Sequence, residues 1–308
     1  MSNQPSSVAS AKPTSAETWW LAIRPRTLPA ATAPVIVGAG AAFLQNQFKP
    51  LPTLAALLGA LLLQIGANLA NDVFDYNKGA DTAERLGPTR VTQAGLLTPR
   101  QVLMGMWGTF GLAALAGIYL AWVAGWPVIA IGFASILAAL AYTGGPYPLG
   151  YNGLGEVLVF IFFGPVAVLG TYFVQSHSIS PLAIWSSIPV GLLITAILVV
   201  NNLRDIATDR EAGKHTIAVR LGVRGTRLEY LALVGMAYLL PLVLSITGSM
   251  PWLVNLAWLS IPLASNMVHK VYSLSGRPLN AVLAGTGQLT LAHSVLLAAG
   301  LVLTNLMF

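Results

Sequence analysis

Apolar residues run through this chain in long unbroken blocks, separated by short polar stretches, with no sustained alternation. A bilayer core takes about 20 apolar residues per helix. Blocks of that kind lie at roughly 28–45, 52–71, 100–122, 127–143, 155–175, 182–203, 228–247, 251–271 and 280–304. Proline and glycine punctuate the junctions, as at Trp126-Pro127, Ser180-Pro181 and Met250-Pro251, where they break the periodic pattern. Thr98-Pro99 has the form of an N-cap followed by a proline in the first helical position. Gly164-Pro165 falls inside the fifth block and marks a possible helix break. The pattern predicts an all-α, polytopic membrane protein with nine transmembrane helices. The polar stretch 1–17 lacks the apolar run of a cleavable signal peptide and is expected to be a disordered tail. The Trp19-Trp20 pair after it suits headgroup depth. Residues 18–308 are expected to form a single transmembrane domain.

Composition agrees. Of 308 residues, 56% are hydrophobic and 8% charged, against about a quarter charged in an ordinary soluble domain. Nothing here points to a nucleic-acid partner; the expected surroundings are a lipid bilayer. The absence of cysteine rules out disulfides, thiolate metal sites and cysteine nucleophiles. His177, His215, His269 and His293 are scattered without a pair at ligand spacing, which sets zinc and haem aside.

Charge fixes an orientation. With the nine blocks as spans, fifteen of the sixteen Lys and Arg fall on the side of the N-terminus, and Lys49 alone falls opposite. The positive-inside rule then places the N-terminus in the cytoplasm and the C-terminus on the other side of a plasma or thylakoid membrane. All ten acidic residues share the cytoplasmic side, although that rule makes no such demand of carboxylates. Both signs of charge on one face suggest a site, so the cavity is expected to open to the cytoplasm.

Two segments carry the candidate chemistry, 68-NLANDVFDYNKGADTAER-85 and 199-VVNNLRDIATDREAGKHTIAVRLG-222. Asn68, Asp72 and Asp75 stand at i, i+4 and i+7, on one face of a helix continuing the second span. Asp205 and Asp209 repeat the i, i+4 spacing at the end of the sixth, with Asn201 and Asn202 a turn earlier. Clustered carboxylates near lipid need a positive counterpart. Hard oxygen ligands without His or Cys favour Mg²⁺. Two such helix ends facing each other would hold a diphosphate through bridging Mg²⁺, with Lys78, Arg85, Arg90, Lys214 and Arg220 on the remaining phosphate oxygens. The alternative is a pair of solvated, salt-bridged helix ends.

These two constellations resemble the aspartate-rich motifs of the UbiA superfamily of intramembrane prenyltransferases, whose nine helices match the count above. Four strings, 21-LAIRPRTLPAATAPVIVGA-39, 68-NLANDVFDYNKGADT-82, 142-YTGGPYPLGYNGLGE-156 and 201-NNLRDIATDREAGKHTIAVRLG-222, resemble one branch, the 1,4-dihydroxy-2-naphthoate prenyltransferases of menaquinone and phylloquinone biosynthesis. The uncharged stretch 144–155 departs from the more basic loop expected of a 4-hydroxybenzoate branch. The resemblance implies transfer of a prenyl group from an allylic prenyl diphosphate to 1,4-dihydroxy-2-naphthoate, with loss of diphosphate and CO₂. Asn68, Asp72, Asp75, Asp205 and Asp209 are then the expected Mg²⁺ ligands, the four aspartates being catalytic.

Several roles stay open. Asp81 is a candidate for metal binding, for orienting Lys78 or for taking the acceptor's phenolic proton. Arg24 is either an interfacial anchor or a contact for a substrate carboxylate. Tyr142 and other aromatics are candidates for shielding an allyl cation. Glu156 either touches the acceptor or simply suits a helix N-terminus. The rival readings are a prenyltransferase acting on another aromatic acceptor, a phosphatidyl-group transferase (whose signature string is missing), and a secondary transporter with a midplane site on broken helices.

Overall fold

The computed structural model describes residues 13–79 and 85–307. Asp81 lies outside the described residues. Among those described, every regular element is helical and no strand occurs. The first helix, α1 (Ser15–Ile23), starts inside the stretch expected to be a tail, because T-S-A-E carries its own start signal. Thr14 Oγ1 accepts the Glu17 N–H at 3.3 Å, and Glu17 Oε2 accepts the Thr14 N–H at 2.8 Å, the reciprocal arrangement of a capping box. Arg24 closes α1 in the left-handed region (φ 55). One 3₁₀ turn, Pro25–Thr27, then leads into α2 (Leu28–Leu44).

The two helices that carry the acidic segments are long. α3 spans Pro50–Asn77 and α8 spans Pro181–Glu211, with 28 and 31 residues. At 1.5 Å per residue they measure about 42 and 46 Å, well beyond a hydrocarbon core of about 30 Å. Each therefore runs on past its apolar block and carries its Asn/Asp face as an uninterrupted helix. α4 (Pro99–Ala124) packs back along α3 and opens with the expected Thr98 cap, completed by Gln101. α5 (Pro127–Thr143) follows, then a connection containing the 3₁₀ turn Leu149–Asn152.

The fifth apolar block is interrupted where Gly164-Pro165 suggested a break. α6 (Gly155–Ile161) passes through a π-turn, Phe162–Val166, into α7 (Ala167–Ser176). Pro165 withholds an N–H from the helical ladder, and the turn absorbs the defect. Gly164 is required there, since a Cβ on it would stand 3.0 Å from the Gly191 Cα of α8. α9 (Ile217–Ile246) contains a break at Gly222 (φ 68). The block expected at 251–271 begins as a 3₁₀ segment, Trp252–Ser260, before α10 (Ile261–Ser273), and α11 (Leu279–Met307) ends the described chain.

Among the described residues, seven helical stretches are long and apolar enough to cross a membrane: α1–α2 together, α3, α4, α6–α7, α8, α9 and α11. The apolar α5 is shorter. The chain is a multi-pass membrane protein. Its dry core joins α2, α7, α8 and α11 around Val37, Val168, Val190 and Leu297, and a second cluster joins α8, α9 and α11 around Leu193, Tyr230 and Leu289. Around α3 and α4, Val91 and Leu97 from the α3–α4 connection are buried beside Leu69, Val73 and Met106. That burial pins the connection over the end of α3.

Candidate active site

A cavity of ≈ 700 Å³ lies between α2, α3, α4, α5, α6–α7 and α8. Its wall on α3 reaches from Ala56 to Asp75, about 28 Å along the helix axis. One end is apolar, with Ala56, Leu120, Val128 and Val174. The other end brings Asn68 and Asp75 of α3 together with Asn201, Asn202, Asp205 and Asp209 of α8. Arg24, Arg85, Arg90 and Lys214 line the same end, and Tyr142 and Phe162 line the wall between.

Each carboxylate is held by a basic or main-chain partner. Asp75 takes Arg90 Nη2 at 2.5 Å on Oδ2 and the Tyr151 hydroxyl at 2.6 Å on Oδ1. Asp205 receives Arg204 through Nε at 2.8 Å and Nη2 at 2.5 Å, a fork geometry that matches a carboxylate well. Lys214 Nζ stands 3.1 Å from Asp209 Oδ1. Asn68 donates to the Ile23 carbonyl at 3.0 Å and to Thr27 Oγ1 at 2.9 Å, tying α3 to the turn after α1.

Asp72 is placed differently from its motif partners. It is 1% exposed and lies behind the cavity wall. Its two oxygens accept the Val91 N–H at 3.1 Å and the Thr92 N–H at 3.0 Å, with Arg24 Nη2 at 3.4 Å. It fixes the connection that delivers Arg90. Lys78 and Arg220 also lie off the wall. Lys78 Nζ donates to the carbonyls of Thr143 at 2.8 Å and Gly145 at 2.9 Å, and Arg220 Nη2 to that of Asn152 at 3.1 Å. Burial lowers the Lys78 ammonium below the ordinary lysine range, with Asp75 opposing. Glu156 is buried beside the site, accepting Asn202 Nδ2 at 2.8 Å.

Two participants lie within the quoted strings but are not among the site residues expected from the sequence. Tyr151 sits in the uncharged α5–α6 connection, whose Gly145 and Asn152 carbonyls accept from Lys78 and Arg220. Arg204 reads as one more basic residue at a helix end, yet it is buried and reaches Asn201 at 2.8 Å and Asn280 at 2.6 Å. Asn280 in turn donates to the Leu86 carbonyl at 2.8 Å. α8, α11 and the α3–α4 connection are thereby joined.

The donors on the cavity wall are oxygens without His or Cys, a set that suits a hard divalent cation. Among the described residues no group of three acidic or His side chains is placed to hold an ion unaided. Mg²⁺ takes one or two protein carboxylates and completes its shell with water and phosphate, so the donor set fits such an ion without a protein cage.

The family model described as "UbiA prenyltransferase family" matches residues 31–279, a stretch that contains both acidic helix ends and most of the residues lining the cavity. The chain belongs to the UbiA prenyltransferase family. It is 42% identical over 284 residues to the 1,4-dihydroxy-2-naphthoate octaprenyltransferase of Mycobacterium tuberculosis, covering 92% of this chain and 96% of that one. It is 36% identical over 294 residues to the enzyme of the same description from Haemophilus influenzae, again covering 92% and 96%. Among solved structures, a UbiA homolog from Archaeoglobus fulgidus bound to DMAPP and Mg²⁺ matches with a TM-score of 0.62 at 11% identity, covering 92% of this chain and 99% of that one. At that identity the likeness is one of fold.

Proposed function

We propose that this chain transfers a prenyl group from an allylic prenyl diphosphate to 1,4-dihydroxy-2-naphthoate, releasing diphosphate and CO₂, in menaquinone or phylloquinone biosynthesis. One observation carries the reading: a single cavity about 28 Å long on its α3 side joins an apolar part to an end lined by both Asn/Asp helix faces and five basic side chains, Arg24, Arg26, Arg85, Arg90 and Lys214. An isoprenoid tail suits the first part and a diphosphate the second. The two relatives described as dihydroxynaphthoate octaprenyltransferases supply the acceptor.

In this reading Asn68, Asp75, Asp205 and Asp209 hold Mg²⁺, while Asp72 supports them through the Val91–Thr92 turn. When bound, the cation supplies charge neutralisation for the departing diphosphate. Arg85, Arg90 and Lys214 bind diphosphate oxygens and stabilise charge as it develops on the leaving group. The allylic C–O bond breaks with its electron pair going to the diphosphate. Tyr142 and Phe162 offer ring faces to the allyl cation, and the apolar wall keeps water from it. The acceptor carbon that bears the carboxylate attacks, and loss of CO₂ returns the electrons of the broken C–C bond to the ring. Arg24, on the wall near Asn68, is the proposed contact for that carboxylate. We read this end of the cavity as facing the cytoplasm, in the plasma or thylakoid membrane, a reading supported by the one-sided distribution of Lys and Arg.

The test is purified protein with Mg²⁺, dihydroxynaphthoate and a panel of prenyl diphosphates. CO₂ and diphosphate are expected in equal amounts with a prenylated quinol. Absence of both with every donor, or substrate accumulation in sealed vesicles without chemical change, would overturn the reading and favour a transporter.

A further inference from the structure

We propose that Tyr151 is a positioning residue that couples the two acidic helix ends and orients Asp75 for its cation and diphosphate. The proposal rests on the reading just given.

The α5–α6 connection is charge-free, yet both halves of the site hold it. From the α3 side, Lys78 grips the Thr143 and Gly145 carbonyls. From the α8 side, the His215 N–H donates to the Tyr151 carbonyl at 2.7 Å, and Arg220 reaches the Asn152 carbonyl at 3.1 Å. Inside the 3₁₀ turn Leu149–Asn152, Tyr151 then turns its side chain into the cavity end. Its hydroxyl donates to Asp75 Oδ1 at 2.6 Å. Lys214 Nζ lies 4.6 Å from the ring centroid and Lys78 Nζ 5.4 Å, both within cation–π range. Lys214 also pairs with Asp209. A continuous path therefore runs from Asp75 through the phenol to Lys214 and Asp209, joining α3 to the end of α8.

The chemistry of a phenol suits this place. It is a neutral donor, so it fixes the rotation of the Asp75 carboxylate while leaving its negative charge for a cation. Arg90, on the other oxygen, both orients and neutralises. The ring supplies the Lys78 and Lys214 ammonium groups with a shared aromatic face. A tyrosine that only packed the connection would have no need to meet Asp75 and Lys214 of the cavity wall and Lys78 beside it.

The experiment follows the melting temperature of the full-length protein in detergent as Mg²⁺ is titrated at fixed inorganic pyrophosphate. Wild type, Tyr151→Phe and Tyr151→Leu are compared, and steady-state KM and kcat are measured in parallel. Tyr151→Phe keeps the ring and loses the hydroxyl. It is expected to leave the ligand-free melting temperature near wild type, to raise the Mg²⁺ half-saturation about ten-fold, as for one lost hydrogen bond to a charged group, and to leave the KM for the naphthoate unchanged. Tyr151→Leu should in addition weaken pyrophosphate, because Lys214 loses its rest on the ring. Wild-type Mg²⁺ half-saturation in Tyr151→Phe overturns the proposal, as does a lowered ligand-free melting temperature with an unmoved titration midpoint, which marks a packing role alone. A wild-type protein that ignores Mg²⁺ and pyrophosphate overturns the parent reading and this one with it.

Discussion

Asp72 Oδ2 accepts the main-chain N–H of Val91 at 3.1 Å, nineteen residues further along the chain. An aspartate of the first motif thus holds the turn that sets Arg90 on Asp75. Asp72→Asn would present an amide group where the charged oxygens now meet two N–H donors, at a cost of about 1.5–3 kcal/mol for a hydrogen bond to a charged group. Melting temperature and kcat are both expected to fall, the latter through displacement of Arg90. The Mg²⁺ half-saturation should move far less than in Asp75→Asn. Melts in detergent beside Mg²⁺ titrations check this; unchanged stability with a strongly weakened Mg²⁺ response would make Asp72 a cation ligand itself.

Asp205 has no comparable main-chain task. It lies on the cavity wall and is met by Arg204. Asp205→Asn should remove turnover by on the order of 100-fold or more, the scale on which single electrostatic contacts to a transition state act. Membrane insertion should remain that of wild type, with a lower melting temperature because the buried Arg204 loses its counter-charge. Initial rates on equal amounts of folded protein decide it, and near-normal activity would remove Asp205 from the site.

The helical framework and the acidic faces were legible because each rests on a period that the chain repeats. Apolar blocks show where lipid faces the chain, and spacings of four and three residues place Asn68 and Asp75 on one side of α3 whatever surrounds it. The division of labour inside that face was not legible. Asp72 and Asp75 are chemically identical, and only the path of residues 85–92 decides that one binds main chain while the other lines the cavity. Tyr151 was hidden for a related reason, since its partners sit 76 residues back on α3 and in the segment after α8. The 251–271 block read as a plain span because hydropathy registers composition and is blind to 3₁₀ winding between Pro251 and Pro262. The helical start at Ser15, by contrast, was written locally in Thr14 and Glu17, beneath a polar composition that suggested a tail.

Arg204 offers a test of architecture apart from chemistry. Its guanidinium is buried and engages Asn201, Asp205 and Asn280 at once. Arg204→Ala would strand the Asp205 charge in a low-dielectric setting, and breaking a buried pair this way costs about 3–5 kcal/mol. The variant is expected to express poorly or melt well below wild type. Arg204→Lys, which keeps the charge but loses the planar fork, should fall between. Equal melting temperatures for all three would show that α8, α11 and the 85–90 stretch are held together by packing alone.

Removal of the cation separates the two kinds of charge on the cavity wall. With chelator present, Asp75, Asp205 and Asp209 retain Arg90, Arg204 and Lys214 as partners, so the fold is expected to survive while turnover stops. Adding Mg²⁺ should restore activity, and Mn²⁺, which also accepts oxygen ligands, should substitute in part. Zn²⁺ gains little from a wall without His or Cys and should restore little. The restoration should depend on prenyl diphosphate, because the ion needs phosphate oxygens to complete its shell. Isothermal titration of Mg²⁺ with and without inorganic pyrophosphate reads this directly: weak binding alone and much tighter binding together is the expected pattern. Equally tight binding of Mg²⁺ in the absence of any phosphate would mean that the carboxylates form a complete cage, and the basic residues would then have to leave them before any ligand arrives.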